Sequence, residues 1–473
     1  MTEPEAIEFC KNNPEAAAKI IMMVEALTKR VAELEEKLSL NSTNSSKPPS
    51  SDNKLTKASK RVNQSNKKRG AQLGHKGKTL KLSATPNKIE VLLPLICNSC
   101  QHNLESIKST KIERRQLIEL PEIRMYTTEY QAHTKICPCC SNKTKAEFPK
   151  GIKATTQYGD NLKSFISYCN SYQMLPYERI SELIEDLVSH KISVGSIYNF
   201  LQTQYEELYL FQQNVKKELL KEEVIHSDET GINIQGKLHW IHVASSSYLT
   251  YYQLHKKRGK IAMDDMGILA NYKGTAVHDH WRAYNQYTCN HAYCNAHVLR
   301  ELTRTSEVEN VQWSRDMFNS LTQMNVAVHK AKDKNKESLS SNQIKKFTKK
   351  YTKICNSANN YYPPPENEKI SRGRPKQKKG KNLLDRLLKY QKETLRFLND
   401  FKVPFTNNLA ERDLRMIKVK EKISGCFASF HGGEIFCRIR SYISTLKKNN
   451  FPVLQGLKDA LEGKSYVPCG GGC

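Results

Sequence analysis

Three acidic residues far apart in the chain could act on one phosphate. Asp228 lies in "EVIHSDETGI", Asp279 in "GTAVHDHWRAY" and Glu411 in "PFTNNLAERDLRM". Alone, an Asp at the end of a short strand reads as a turn or cap acid. Joined by two more carboxylates it becomes a hard oxygen donor set suited to magnesium or manganese, ions that keep several waters and take further ligands from phosphate. Two such ions about 3.5–4 Å apart activate an attacking oxygen and stabilise the leaving one in an in-line displacement. Glu229 points to the other side of the strand and is set aside as a ligand.

A second donor set is soft. "CNSC" (Cys97, Cys100) and "CPCC" (Cys137, Cys140) are paired-cysteine knuckles flanking a stretch that reads as strand-rich, including "RQLIELPEIRMYTTEYQAHTKI". Two knuckles close a tetrahedral zinc site with no open position, so its role would be structural. Cys139 could replace either neighbour. "CNAH" (Cys294, His297) is a further Cys-x-x-His pair with Cys289 and His291 nearby; a structural role is favoured over a second metal. Asp264 and Asp265 read as a solvated helix face.

These residues need elements to hold them. Ile20, Val24, Leu27, Val31, Leu34 and Leu38 recur at spacings of four and three, a short coiled-coil seam that predicts self-association or docking. "NSTNSSKPPSSDN" reads as a linker. Between Asp52 and Glu90 there are eleven Lys or Arg and no acid, among them Lys67, Lys68, Arg69 and Lys76. That run is either a solvated tail or a source of phosphate contacts. "YERISELIEDLVSH" presents Ile180, Leu183, Ile184 and Leu187 on one face. After "KISVGS", a second helix capped at Ser196 follows, and the pair resembles a helix-turn-helix with Asn199 and Gln202 on its second helix.

Composition fits a nucleic-acid partner. The 473-residue chain carries a net charge of +27, with a pI near 9.4, a field that attracts polyanions. Its fourteen cysteines suit metal ligation and reduced core thiols better than a disulfide scaffold, which belongs to small secreted chains. "MTEPEAIEFC" is acidic and "KIIMMVEAL" is too short to span a bilayer, so neither a leader nor a membrane anchor is expected.

From Glu223 onward the pattern is three strands in a meander, a helix over "GKIAMDDMGILANY", a fourth strand ending at Asp279, and after a long interruption a helix over about 408–418 carrying Glu411. That order is the order of the ribonuclease-H-like fold, where the carboxylates converge at one sheet edge. "HSDETG", "HDHWRAY", "CNAHVLREL" and "PFTNNLAERDLRMIKVKEKISGCF" resemble the signature blocks of insertion-sequence-66 transposases, of the Asp-Asp-Glu class. The N-terminal heptad helix, "NSSKPPSSD", "GAQLGHKG" and paired-Cys domain follow the same order, so the resemblance runs from about residue 20 to 450. It implies that Asp228, Asp279 and Glu411 are catalytic and hold magnesium or manganese. The implied activity is hydrolysis at a transposon end followed by attack of the freed 3′-hydroxyl on target DNA. Partners would be terminal inverted repeats, target DNA, a second copy of the chain and accessory element-encoded proteins, in a prokaryotic cytoplasm at the nucleoid.

The expected architecture is multidomain α/β: residues 1–45 a coiled coil, 46–92 a basic linker, 93–150 a zinc domain, 151–215 a helix-turn-helix-like domain, 216–450 the catalytic domain with a helical insertion at about 313–400, and 451–473 a tail. Arg412, Arg415 and Lys418 follow Glu411 on its helix. Arg415 and Lys418 share its face and could hold scissile phosphates, or could only form ion pairs along the helix. Arg372 and Arg374 are the arginines of "RGRP", a weak match to a minor-groove hook and otherwise a backbone contact. Two rivals stand beside the transposase reading: a non-catalytic zinc and helix-turn-helix regulator, and a metal-dependent structure-specific nuclease.

Overall fold

The computed structural model describes residues 2–45, 52, 77, 79–363 and 377–467. Lys67, Lys68, Arg69, Lys76, Arg372 and Arg374 lie outside the described residues. The chain divides into two units, Lys54–Glu129 and the remainder, Met1–Asn53 with Tyr130–Cys473.

The smaller unit corrects one expectation. Among its described residues, 101–129 contain no strand, and Leu117, Ile118, Leu120 and Tyr126 stand exposed. Alternating apolar residues form a strand only where a neighbour takes the backbone hydrogen bonds and a core takes the side chains; neither is present for this segment.

The larger unit opens with two helices rather than one, α1 (Glu3–Asn12) and α2 (Pro14–Ser39). Pro14 has no N–H to extend the first helix but suits the first turn of the second. The heptad positions of α2 from Ile20 to Leu38 are all exposed. A small antiparallel hairpin of β1 (Thr134–Ile136) and β2 (Lys143–Lys145) frames the second cysteine knuckle.

Four helices follow: α3 (Asp160–Ser167), α4 (Tyr177–Val188), α5 (Val194–Glu207) and α6 (Tyr209–Leu219). The buried stripe of α4 is narrower than its sequence suggests: Ile180 and Ile184 are buried, Leu183 half-buried and Leu187 exposed. The cap of α5 is Ser193, three residues before the expected one, and its side chain accepts the amide of Ser196 at 3.1 Å.

A five-stranded mixed sheet then forms. β3 (Val224–Ile234), β4 (Lys237–Ser245) and β5 (Thr250–His255) are the expected antiparallel meander. Gln235 and Gly236 join the first two with φ of 49° and 76°, the left-handed pair that a two-residue hairpin demands. After α7 (Lys260–Met266), β6 (Thr275–His278) lies parallel to β3, and β7 (Asn290–Tyr293), unforeseen from sequence, lies parallel to β6. The strand order is β5-β4-β3-β6-β7, which puts the strand bearing Asp228 in the centre.

A helical block interrupts the fold, made of α8 (Asn295–Glu309), α9 (Gln312–Lys332), α10 (Ser341–Ala358) and α11 (Lys379–Lys389). It has a core of its own around Leu302, Trp313, Met317, Leu321 and Leu387. The chain returns to the sheet through α12 (Asn408–Ser424), α13 (Phe430–Lys448) and α14 (Val453–Leu461).

Strand alternation feeds two cores. Ile241, Val243, Tyr252 and Leu254 pack with Leu414 and Ile417 of α12, while Ala244 and Tyr251 pack with Met263, Phe211 and Ile439. Ile180, Ile184, Ile197 and Leu201 of the α4–α5 pair belong to that second core. The edge strand β5 is not open: the amides of Thr250 and Tyr252 donate to Thr445 and Ser441 of α13 at 3.2 and 2.9 Å.

Gly274 enters β6 against the Tyr272 hydroxyl and the Glu222 carbonyl. A Cβ there would lie 2.3 Å from the first and 2.7 Å from the second, and the Tyr272 hydroxyl bonds that same carbonyl at 2.9 Å. Gly274→Ala should therefore lower unfolding stability by about 1–3 kcal/mol, read from denaturant melts; an unchanged midpoint would contradict this packing.

Candidate active site

The parallel pairing of β3 with β6 sets the first two carboxylates. Ile225 pairs with Ala276 and His226 with Val277. Continuing that register brings Asp228 level with Asp279, one residue beyond the end of β6. Each spends one oxygen on local backbone: Asp228 Oδ1 accepts the Glu229 amide at 2.9 Å, and Asp279 Oδ1 accepts the Trp281 amide at 2.8 Å. The second oxygen of each remains for a ligand.

Glu411 arrives on the first turn of α12, and a single buried residue fixes where that helix starts. Asn407 donates from Nδ2 to the Ser227 carbonyl at 2.9 Å, and its Oδ1 bonds His226 Nδ1 at 2.9 Å. Its amide points to Cys294 Sγ at 3.1 Å. Three segments thus meet at one residue, two through its side chain and helix start and the third through its backbone N–H. Burial keeps His226 neutral, with its pKa lowered to about 4, so the ring stays a hydrogen-bonding partner and not a cation.

Glu411 is anchored on α8. Its Oε1 lies 3.2 Å from His297 Nε2, 3.8 Å from Arg300 and 4.0 Å from Cys294 Sγ. Cys294, His297 and Glu411 each offer a ligand atom within 4.8 Å of the others. The expected structural "CNAH" pair is therefore part of the carboxylate's setting. Cys289 and His291 stand apart from it: Cys289 is buried in the sheet core, and His291 bonds His278 at 2.9 Å and the Tyr287 carbonyl at 3.0 Å.

The two ends of the site are poised differently. Burial first, then the field of Glu229 and those of Asp279 and Glu411, push the Asp228 carboxyl well above the usual range. Glu411 is pulled down, chiefly by the His297 hydrogen bond, with Arg300 and Arg415 adding to it against burial. Half-buried carboxylates near enough that Asp279 and Glu411 raise the proton affinity of Asp228 are the electrostatic condition that a divalent cation relieves.

Glu229 is a clamp residue, which the sequence did not disclose. It accepts two bonds from Arg258, at 3.0 and 2.6 Å, and one from the Tyr284 hydroxyl at 2.5 Å. The Arg258 guanidinium lies over the rings of Trp281 and Trp240, at 4.1 and 4.8 Å. Tyr284 stacks on His278 at 4.4 Å. "HDHWRAY" is thus a loop that locks Asp279 in place through its aromatics.

The Transposase IS66 family model matches residues 155–435, more than half of the chain and all three carboxylates. The chain belongs to this family. A family of unknown function (DUF6444) matches residues 1–81. No curated protein sequence matches at a significant level.

The remaining expected site residues scatter. Arg415 is exposed and within electrostatic reach of Glu411. Arg412 is also exposed and acts on His226 and Lys448 instead. Lys418 is used inside the fold, donating to the Gly231 carbonyl and to Glu421. Asp264 accepts the Tyr287 hydroxyl at 2.8 Å and Asp265 meets His255 at 3.1 Å, both away from the carboxylates. Gln202 is half-buried and held by His431 and Glu206, while Asn199 is exposed.

The two cysteine knuckles are local copies. The Cys97 amide donates to the His102 carbonyl and the Gln101 amide back to Cys97; the Cys137 amide donates to Asn142 and the Ser141 amide back to Cys137. Gln101 and Ser141 share a left-handed φ of 58° and 57°. Backbone bonds from the Cys100 and Ser99 residues lower the Cys97 thiol, and Cys140 and Cys139 do the same for Cys137. Cys139 therefore occupies the position of Ser99, a backbone donor to the thiolate.

Asn407 generates a direct test. Asn407→Ala strands the Ser227 carbonyl and the His226 ring in a dry interior, so unfolding stability should fall by about 1–3 kcal/mol. Asn407→Asp, which cannot donate to Ser227, should not restore it. A wild-type denaturation midpoint for either variant would contradict the assignment.

Proposed function

We propose that this IS66-family chain is a DNA transposase whose ribonuclease-H-like domain breaks and joins phosphodiesters at Asp228, Asp279 and Glu411. The observation that carries the reading is the convergence of β3, β6 and α12, which sets one acid level with another and brings a third within its electrostatic reach. The strand order with β3 at its centre and β6 and β7 parallel to it supports the fold assignment. A regulator without catalysis gives no reason for three acids from three elements to lie within electrostatic reach of one another.

Asp228 and Asp279 would hold magnesium or manganese through their remaining oxygens, with Glu411 completing the set. When bound, two such cations neutralise the attacking and leaving oxygens of an in-line displacement. The chain's own residues prepare that event. His297 and Arg300 keep Glu411 ionised, Asn407 holds its helix against β3, and the Arg258–Glu229–Tyr284 clamp keeps the Asp279 loop from swinging out. Arg415, exposed beside Glu411, would steady a phosphate.

The other parts supply binding. The exposed heptad face of α2 is the surface for a second copy of the chain. The α4–α5 pair, with Asn199 exposed on α5, is the reader of the transposon end. The basic run with Lys67, Lys68, Arg69 and Lys76, and the loop with Arg372 and Arg374, would contact phosphates. The knuckle cysteines, Cys97 with Cys100 and Cys137 with Cys140, would be zinc ligands on the strength of the paired Cys-x-x-Cys spacing in the sequence.

Glu411→Gln and Asp228→Asn should lower cleavage of end-bearing DNA on the order of 100-fold or more while binding persists. Asp228 holds its proton to higher pH than an ordinary Asp, so metal must compete with that proton. The metal concentration for half-maximal cleavage should thus rise as pH is lowered from about 8 to about 6. Near wild-type cleavage by Glu411→Gln sinks the assignment. For the knuckles, elemental analysis of purified protein should find one zinc per chain, lost in Cys137→Ser and kept in Cys139→Ser. Loss in Cys139→Ser would reassign the ligand.

A further inference from the structure

A second charged feature lies further along α8 from Glu411. Glu301, Arg304 and Thr305 of α8, with Lys379, Asn382 and Arg386 of α11, line a cleft of about 220 Å³. Its wall carries three cations and one carboxylate, Glu301, which is already paired with Arg386. His297, Arg300 and Arg304 succeed one another at spacings of three and four, so one face of α8 leads from the Glu411 carboxylate to this cleft. Arg300 stands between them, 3.8 Å from Glu411.

Two of the cleft's cations, Arg304 and Lys379, are already engaged by a carboxylate from outside its lining. Glu36, near the end of α2, accepts from Arg304 and from Lys379 Nζ, the latter at 2.7 Å, both through the same oxygen, Oε1. Asn44, buried just beyond that helix, donates to Glu307 of α8 at 2.8 Å and fastens the segment there. The Lys379 and Arg304 bonds hold the Glu36 carboxyl below its usual range, so it is an anion at neutral pH. One carboxylate oxygen shared by an arginine and a lysine occupies the place and chemistry of a phosphate oxygen. Both ring nitrogens of His280 are buried without a hydrogen-bond partner, with Arg386, His278 and His297 in electrostatic reach.

We propose that the α8–α11 cleft is a phosphodiester-binding subsite, continuous with the Glu411 site along α8, and that Glu36 engages its Arg304 and Lys379 in the unbound protein. The inference rests on the transposase reading, because only a chain of phosphates leaving the reacting one needs a second anion site in line with it. DNA would displace Glu36, release the end of α2 from α8, and take Arg304 and Lys379 for its own backbone. Sequence-independent contact is expected, since every element of the subsite addresses phosphate and none a base edge.

The test uses the full chain and a duplex of about 30 base pairs with scrambled sequence, titrated at several salt concentrations. Glu36→Gln removes the competing anion and should tighten binding about threefold or more, while Glu36→Asp stays near wild type. Arg304→Gln should weaken binding and lower the salt exponent by about 0.9, the loss of one phosphate contact. In an Arg304→Gln/Lys379→Gln background the gain from Glu36→Gln should vanish. If Glu36→Gln and Arg304→Gln both leave affinity and salt exponent unchanged while Glu411-dependent cleavage continues, the subsite is overturned and the transposase reading stands. If Glu36→Gln fails to fold, the Arg304→Gln exponent decides alone. A wild-type chain that neither binds nor cleaves DNA overturns both.

Discussion

Everything at the carboxylate site hangs on one buried amide. Asn407 is 2% exposed, and its side chain answers a donor demand and an acceptor demand on β3 at once. A primary amide can do so because it carries a donor and an acceptor on one rigid plane. Without water to substitute, the pairing is enforced by the free energy of leaving either group unmet. The result is a helix start pinned to a strand 180 residues earlier, and a carboxylate one turn on whose position is inherited from that pin.

The sheet and the electrostatics then set the balance of the site. Register places Asp228 beside Asp279, and burial drives up the pKa of the first. The opposite end is drained of that repulsion by a histidine and an arginine on α8. Neutral buried histidines, His226 near 4 and His278 near 3, serve as fixed dipoles between these groups and add no charge. The acidic cluster is therefore confined by neutral rings on one side and by cations on the other, and the excess negative charge has one direction to face.

Much of this was legible before any coordinates, for identifiable reasons. Asp228, Asp279 and Glu411 lie in segments with strong local signals: a period-two meander, a short apolar strand and an amphipathic helix. β7 escaped notice because four residues between cysteines, only the last two of them buried, carry no period to read. The strands expected over 101–129 failed for the converse reason: alternation is a local property, whereas a strand needs a partner. Arg258, Asn407 and Glu36 were invisible because each acts across 29, 180 or 268 residues of chain, and nothing local distinguishes an arginine that stacks between two tryptophans from one in solvent. Asn407 did leave a trace, an Asn at the entrance of a helix, where capping is the ordinary explanation. Lys418 erred the other way. Its spacing from Glu411 pointed to phosphate, yet tertiary folding gave it to a strand carbonyl.

The hydroxyls of Ser441 and Thr445 close the open amides of β5, and they sit in one of the last helices of the chain. During synthesis the five strands emerge long before α13 does. Until residue 445 is released, the sheet carries an uncapped edge, the template on which strands of neighbouring chains add. A copy of the gene truncated anywhere between the end of β7 and Glu411 would still encode every strand of the sheet but not the closure. Such a product would present a finished sheet with one adhesive border, and aggregation would remove it before its missing carboxylate mattered.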